Sequence, residues 1–228
     1  MLSTAGVAAA IGQKGGSLSV GDVQVRVRLP KLRLHEHAPP VVVWLQPLQG
    51  TVAPPFVPGA HYTLQQKNRM FTPHLLVVPV GSEVLFPNAD PFFHNVFSLF
   101  NGKRFDLGLY EAGTTKAERF SREGVSYLFC NIHPEMSAVI VVLSTPLYTT
   151  SGVDGVYSIH NAPAGDYELH VWVEGLTQPA LDRLRRHVEV TAGGTDLGVV
   201  DATSAPLQPA EHLNKFGQAY DRDSKPAY

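Results

Sequence analysis

Cys130 is the only cysteine in this chain of 228 residues, with a histidine three positions on and a methionine six positions on. The run reads Cys130-Asn131-Ile132-His133-Pro134-Glu135-Met136 and closes an apolar stretch, Tyr127-Leu128-Phe129. Upstream, His94 stands at the mouth of a second apolar run that continues through Val96 and Phe97. One thiolate, two imidazoles and one thioether are therefore on offer. Thiolate and thioether are soft and favour Cu(I), while imidazole suits both copper states, so the set suits a mononuclear copper ion that cycles between Cu(I) and Cu(II). Two nitrogens and one sulfur in a plane, with a weak axial sulfur, lie between the geometries the two states prefer. Little has to move when an electron arrives.

These donors need elements that aim them at one point. Cys130 would close a strand, and a tight loop would return His133 and Met136 over the same ion. Pro134 would stiffen that loop and remove one backbone donor beside it. His94 has to come from another strand, because a short loop cannot surround a metal alone.

Plainer roles exist for each residue singly. A lone cysteine is most often a small buried hydrophobe, and a lone histidine or methionine beside a strand most often belongs to the core or the surface. A Cys130–His133 pair could also suggest a nucleophile and its base. That scheme leaves His94 and Met136 without a role, and the chain has no nucleotide-binding glycine motif and no nucleophile elbow. The histidine pairs needed for an oxygen-reducing copper cluster are absent.

Residues 62–143 resemble the cupredoxin family. The resemblance rests on Phe71-Thr72-Pro73, on Leu75, Val77, Val80 and Gly81, on Val84, Phe86, Asn88 and Asp90, and on His94-Asn95-Val96. The Cys-x-x-His-Pro-x-Met loop is similar to the short loop of amicyanin-like cupredoxins. The resemblance implies that His94, Cys130, His133 and Met136 are the ligands of one type 1 (blue) copper. It implies that Asn95 braces the ligand loops, and that His133 lies nearest the surface beside an apolar patch with Pro134 and Phe92. Electron transfer with a redox protein as partner is the implied function, in the periplasm or a secreted setting. No catalytic residue is expected.

Composition agrees with an all-β chain: charged residues make up 17%, while 20 glycines and 18 prolines supply turns. A formal charge of −2 and the lack of a basic stripe give no nucleic-acid footprint. One cysteine excludes an intramolecular disulfide, a dinuclear thiolate-bridged copper centre, and zinc or iron–sulfur sites built from several cysteines. No segment is long enough to span a membrane. Residues 1–16, small and apolar from Met1 to Ala10, read as a flexible start or the remnant of a secretory leader.

Val23, Val25, Val27 and Leu29 alternate with Gln24, Arg26 and Arg28, a period of two that marks a half-buried strand. The unbroken run Val41-Val42-Val43-Trp44-Leu45 marks a strand buried on both faces. Proline-rich residues 50–59 read as a linker. Beyond Pro146, the pattern Asp154-Gly155-x-Tyr157-x-Ile159-x-Asn161-x-Pro163-x-Gly165-x-Tyr167-x-Leu169 reads as two strands joined by a Pro/Gly turn. It resembles the carboxypeptidase regulatory-like (transthyretin-like) β-sandwich family. Residues 186–190 and 197–200 supply further strands, and residues 179–185 a short helical turn.

Too few strands follow residue 146 to close a sandwich, and the pair at 23–29 and 41–45 resembles the missing first strands. The expected fold is therefore a cupredoxin Greek-key β-sandwich, residues 59–145, inserted in or fused to a transthyretin-like sandwich of residues 17–58 and 146–204. An irregular tail, 205–228, follows and could pack on the body through Phe216 and Tyr220. His35 and His37 read as part of a polar turn. His61, His74, His160, His187 and His212 show no partner pattern, and Arg183, Arg185 and Arg186 read as a solvated face. His170 and Trp172 would face away from Tyr167, Leu169 and Val171. Rival readings are a copper carrier or storage protein, and a structural binding module without a redox role.

Overall fold

A computed structural model describes residues 19–30, 38–99, 102–150, 152–208 and 213–220. The readings at residues 1–16, His35, His37 and His212, and at the far end of the tail, lie outside them. The first strands are β1 (Val20–Arg28) and β2 (Val41–Pro47). Next come β3 (Tyr62–Thr63), β4 (Gln65–Lys67), β5 (Met70–Thr72), β6 (Leu75–Pro79), β7 (Ser82–Pro87) and β8 (His94–Ser98). They are followed by β9 (Phe105–Tyr110), β10 (Thr115–Phe120), β11 (Gly124–Phe129) and β12 (Ser137–Leu143). The last group is β13 (Tyr148–Thr149), β14 (Gly152–Val153), β15 (Val156–Pro163), β16 (Gly165–Val173), the short helix α1 (Gln178–Asp182), β17 (Arg186–Val190) and β18 (Thr195–Asp201). The fold is all-β apart from α1, and among the described residues no helix is long and apolar enough to cross a membrane.

Four sheets and a small β4–β5 hairpin result, with sheet orders β14-β15-β1-β18, β13-β2-β16-β17, β6-β12-β11-β8-β9 and β10-β7-β3. The strands from the chain's start thus find their partners after residue 150. β1 runs antiparallel to β15, with Val23 opposite Ile159, and parallel to β18. β2 runs antiparallel to β16, with Leu45 opposite Leu169 and Val43 opposite Val171. The middle strands build the other two sheets among themselves. β1 alternates exposed and buried positions as its period of two requires.

The hairpin from β14 to β15 turns on Asp154-Gly155, both at positive φ (52° and 75°), the geometry whose twist matches paired strands. Glycine occupies the second position at no steric cost.

Two cores share β12. Ala138, Ile140 and Val142 join the cluster that holds Cys130 and Met136, with Phe86, Phe120 and Leu128. Val139, Val141 and Leu143, on the opposite face, join a cluster with Val43, Leu169 and Trp172. A strand covered on both sides has no reason to alternate, so residues 138–143 are apolar throughout. Each fully buried aliphatic side chain contributes about 1.5–3 kcal/mol.

On β16, Tyr167, Leu169 and Val171 face β1 and β15, while His170 and Trp172 face the other way. His170 stacks on Trp44 with ring centroids 4.7 Å apart, and the Trp172 ring lies 6.3 Å from Tyr127 of β11. The face that could have met solvent instead meets the sheet leading to Cys130. The arginine reading changes in one place. Arg186 is half-buried and donates to the Leu197 carbonyl, because β17 sits at a sheet edge beside β18 and its guanidinium reaches that carbonyl.

Candidate metal centre

Neighbouring strands of the five-stranded sheet deliver the site. His94 opens β8, and Cys130 follows the last residue of β11, where Phe129 pairs with Phe97. The loop after Cys130 closes on itself: the Met136 N–H donates to the His133 carbonyl at 3.0 Å, and the Cys130 N–H to the Met136 carbonyl at 3.3 Å. That closure brings His133 and Met136 back beneath the end of β11.

The Cys130 Sγ lies 3.8 Å from His94 Nδ1 and 3.6 Å from His133 Nδ1. All three donor atoms fall within 4.8 Å of one another. Such separations suit one ion bonded to all three at about 2.0–2.3 Å. The imidazole centroids are 4.9 Å apart with planes at 62°. His94, Cys130 and Met136 are fully buried and His133 is 4% exposed, so the site is dry. Met136 lies in the same core cluster as Cys130. Among the described residues, no other group of three metal-binding side chains converges.

Orientation of the rings is set by hydrogen bonds. His94 Nε2 donates to Asp90 Oδ2 at 2.8 Å, which leaves the Nδ1 lone pair facing Cys130. Asp90 also accepts the N–H groups of Asn68 (2.6 Å) and Arg69 (2.9 Å), the two positive-φ residues of the turn between β4 and β5. Burial acts to raise the Asp90 carboxyl, but the hydrogen bonds from Arg69, His94 and Asn68 outweigh it and hold the group below the usual carboxylate range. Asn88 Nδ2 donates to the Phe92 carbonyl at 2.8 Å, and its Oδ1 accepts the Asp90 N–H at 3.1 Å, bracing the corner ahead of His94.

Asn95 links the segments that carry His94 and Cys130. Its Oδ1 accepts the Asn131 N–H at 3.2 Å, and its Nδ2 donates to Asp106 Oδ1 at 2.6 Å. Burial pushes the Cys130 thiol up, against the downward pull of the Ile132, Asn95 and His133 backbone N–H groups. Burial, reinforced by neighbouring His94, holds His133 below its ordinary value, which favours its neutral form. A neutral imidazole is what a metal requires. Phe92 packs against both ligand rings, at 5.2 Å from His94 and 5.7 Å from His133.

The donor set fits type 1 copper: a buried cysteine sulfur, two imidazole Nδ1 atoms facing it, and a methionine in the same buried cluster suit one such ion. Of the four expected residues, His94, Cys130 and His133 converge, and Met136 lies in the same buried cluster as Cys130. Three contributors escaped the sequence reading in their roles. Asp90, four residues before His94, was visible only as part of a strand pattern. Lys215 and Tyr220 reach the ligand loop from the tail, and nothing local in sequence announces that. Three other histidines take ordinary partners: His74 with Glu174, His160 with Asp22, and His187 with Asp166.

No protein-family model and no curated protein matches the chain. Among solved structures, a purple cupredoxin from Nitrosopumilus maritimus is similar over 36% of this chain and 99% of its own, at 26% identity and a TM-score of 0.33. A copper-containing nitrite reductase from Thermus scotoductus is similar over 43% of this chain, at 27% identity and a TM-score of 0.35. This chain covers only 25% of that enzyme. Amicyanin from Paracoccus versutus is similar over 38% of this chain and 85% of its own, at 20% identity and a TM-score of 0.35. The reading of the site rests on its own geometry.

Proposed function

We propose that this chain is a type 1 copper protein that carries single electrons, with His94, Cys130, His133 and Met136 as the ligands. The observation that carries the reading is the buried Cys130 Sγ within 3.6–3.8 Å of two histidine Nδ1 atoms. Copper, when bound there, supplies a one-electron Cu(I)/Cu(II) couple. The chain's residues do the rest. Cys130 would hold the ion through its thiolate and supply the strongest electronic coupling, with the His94 and His133 imidazoles beside it. Met136 would tune the potential through its thioether, while Asp90, Asn88 and Asn95 keep the donors in place in either state. Burial excludes water and with it competing ligands.

His133 is the less buried of the two imidazoles; exposed Pro134 follows it in the chain and the half-buried Phe92 ring lies 5.7 Å away. This edge suits brief docking of a redox protein partner. We assign residues 59–145 to the copper unit and residues 17–58 with 146–204 to a second, discontinuous sandwich; the pairing of β1 with β15 and of β2 with β16 supports that division. A periplasmic or secreted location accords with a lone cysteine shielded by metal.

One equivalent of Cu(II) added to the apoprotein is expected to give a strong band in the red and a narrow copper hyperfine splitting. A pale spectrum with ordinary splitting would overturn the assignment. Cys130→Ala is expected to abolish the band and leave the fold, as checked by circular dichroism. Met136→Leu is expected to keep the band and raise the potential, because an axial donor to Cu(II) is lost; an unchanged potential would remove Met136 from the ligand set.

A further inference from the structure

The peptide that leaves Cys130 is held from two sides. On one side Asn95, next to ligand His94, accepts the Asn131 N–H. On the other side the chain's tail arrives, ninety residues later in sequence. The Tyr220 hydroxyl donates to the Cys130 carbonyl at 2.8 Å, and the Lys215 N–H donates to Asn131 Oδ1 at 2.9 Å. The Lys215 ammonium pairs with Asp106 at 2.8 Å, and Asp106 also accepts from Asn95.

The tail segment is itself folded for this approach. Asn214 Oδ1 accepts the N–H groups of Phe216 and Gln218 at 2.9 and 3.0 Å, and the Asn214 N–H donates to the Gln218 carbonyl at 2.9 Å. Gly217 closes the turn at φ 76°. This turn points the Lys215 backbone inward and leaves the Phe216 ring 71% exposed. Phe216 therefore does not pack on the body, and Tyr220 does.

We propose that Tyr220 is a positioning residue of the metal centre: with Lys215 it locks the Cys130–Asn131 peptide so that the thiolate keeps one geometry whether the site is empty, oxidised or reduced. The inference rests on the copper reading and deepens it. Two donors, the Tyr220 hydroxyl and the Lys215 N–H, and one acceptor, Asn95 Oδ1, converge from outside the loop on one corner of it, and that corner carries the ligand with the strongest coupling. A hydrogen bond to a ligand's own peptide acts through orientation, and partners of this kind are worth about 10–100-fold in metal affinity.

The test is Tyr220→Phe in the full chain, which removes one hydroxyl, with Phe216→Ala as the control on the same turn. Loaded with Cu(II), Tyr220→Phe is expected to release copper to a chelator about tenfold faster than the parent and to shift the thiolate charge-transfer band. Phe216→Ala is expected to match the parent in both. In the apoprotein, the amides of Asn131 and Ile132 are expected to exchange about five- to tenfold faster in Tyr220→Phe, with the other β11 and β12 amides unchanged. A parent chain that shows the red band, beside a Tyr220→Phe variant with the same release rate, band and amide exchange, overturns the tail's role alone. A parent without the band overturns the copper reading and the role of Tyr220 toward it.

Discussion

At the scale of single residues, the site separates what composition can announce from what only folding can arrange. The four ligand types and their spacing stand in the sequence, because a metal loop is short and local. Asp90 does not stand out, although it fixes the His94 ring. Its role depends on a turn at Asn68 and Arg69, about twenty residues upstream, whose two N–H groups hold the carboxylate in place. Asp90→Asn keeps the volume but turns one acceptor into a donor facing other donors. Cu(II) affinity is expected to fall about 10–100-fold, as a chelator competition would read. The charge-transfer band should persist, since Cys130 is untouched.

At the scale of elements, β12 ties the two cores together. Its apolar run, residues 138–143, fits burial on both faces, but the run cannot say what lies against each face. Ile140 points to the core around Cys130, and Leu143 to the core around β2 and β16. Ile140→Ala and Leu143→Ala are each expected to cost about 2–5 kcal/mol. Because one strand serves both cores, calorimetry of the apoprotein should show each variant lowering one common transition. Two transitions, each sensitive to only one variant, would mean that the cores unfold independently. The same limit applies at β16: alternation told apart the Leu169 face and the His170 face, and only packing decided that the second meets β11.

At the scale of the whole molecule, His74 links the segment ahead of β6 to the segment after β16. It follows Pro73, ahead of β6, and its ring lies between the Ser137 carbonyl (3.1 Å) and Glu174 beyond β16 (3.0 Å). The hydrogen bond to Glu174 raises its pKa above 6.5, even though burial pulls the other way. A raised folded pKa means that the contribution is fully present below the unfolded value and is lost as pH rises through the folded one. The pair is partly exposed and therefore screened, so its worth is at most about 1 kcal/mol. Parent and His74→Gln should differ in melting temperature at pH 6 and converge well above neutrality. A gap that is equal at both pH values would show that the pair is not titrating.

The sequence argued for nesting from too few strands after residue 146 and from the resemblance of the pair at 23–29 and 41–45 to missing first strands; in the structure β1 pairs with β15 and β2 with β16. That nesting also imposes an order in time. A ribosome adds about 5–20 residues per second, and the register partner of Val23 is Ile159. β1 and β2 therefore wait on the order of ten seconds as unpaired strands, and the loop from Cys130 to Met136 is complete before that wait ends. The strands from β3 to β12 can pair before β1 and β2 do, and the emerging chain is most prone to aggregate during that interval.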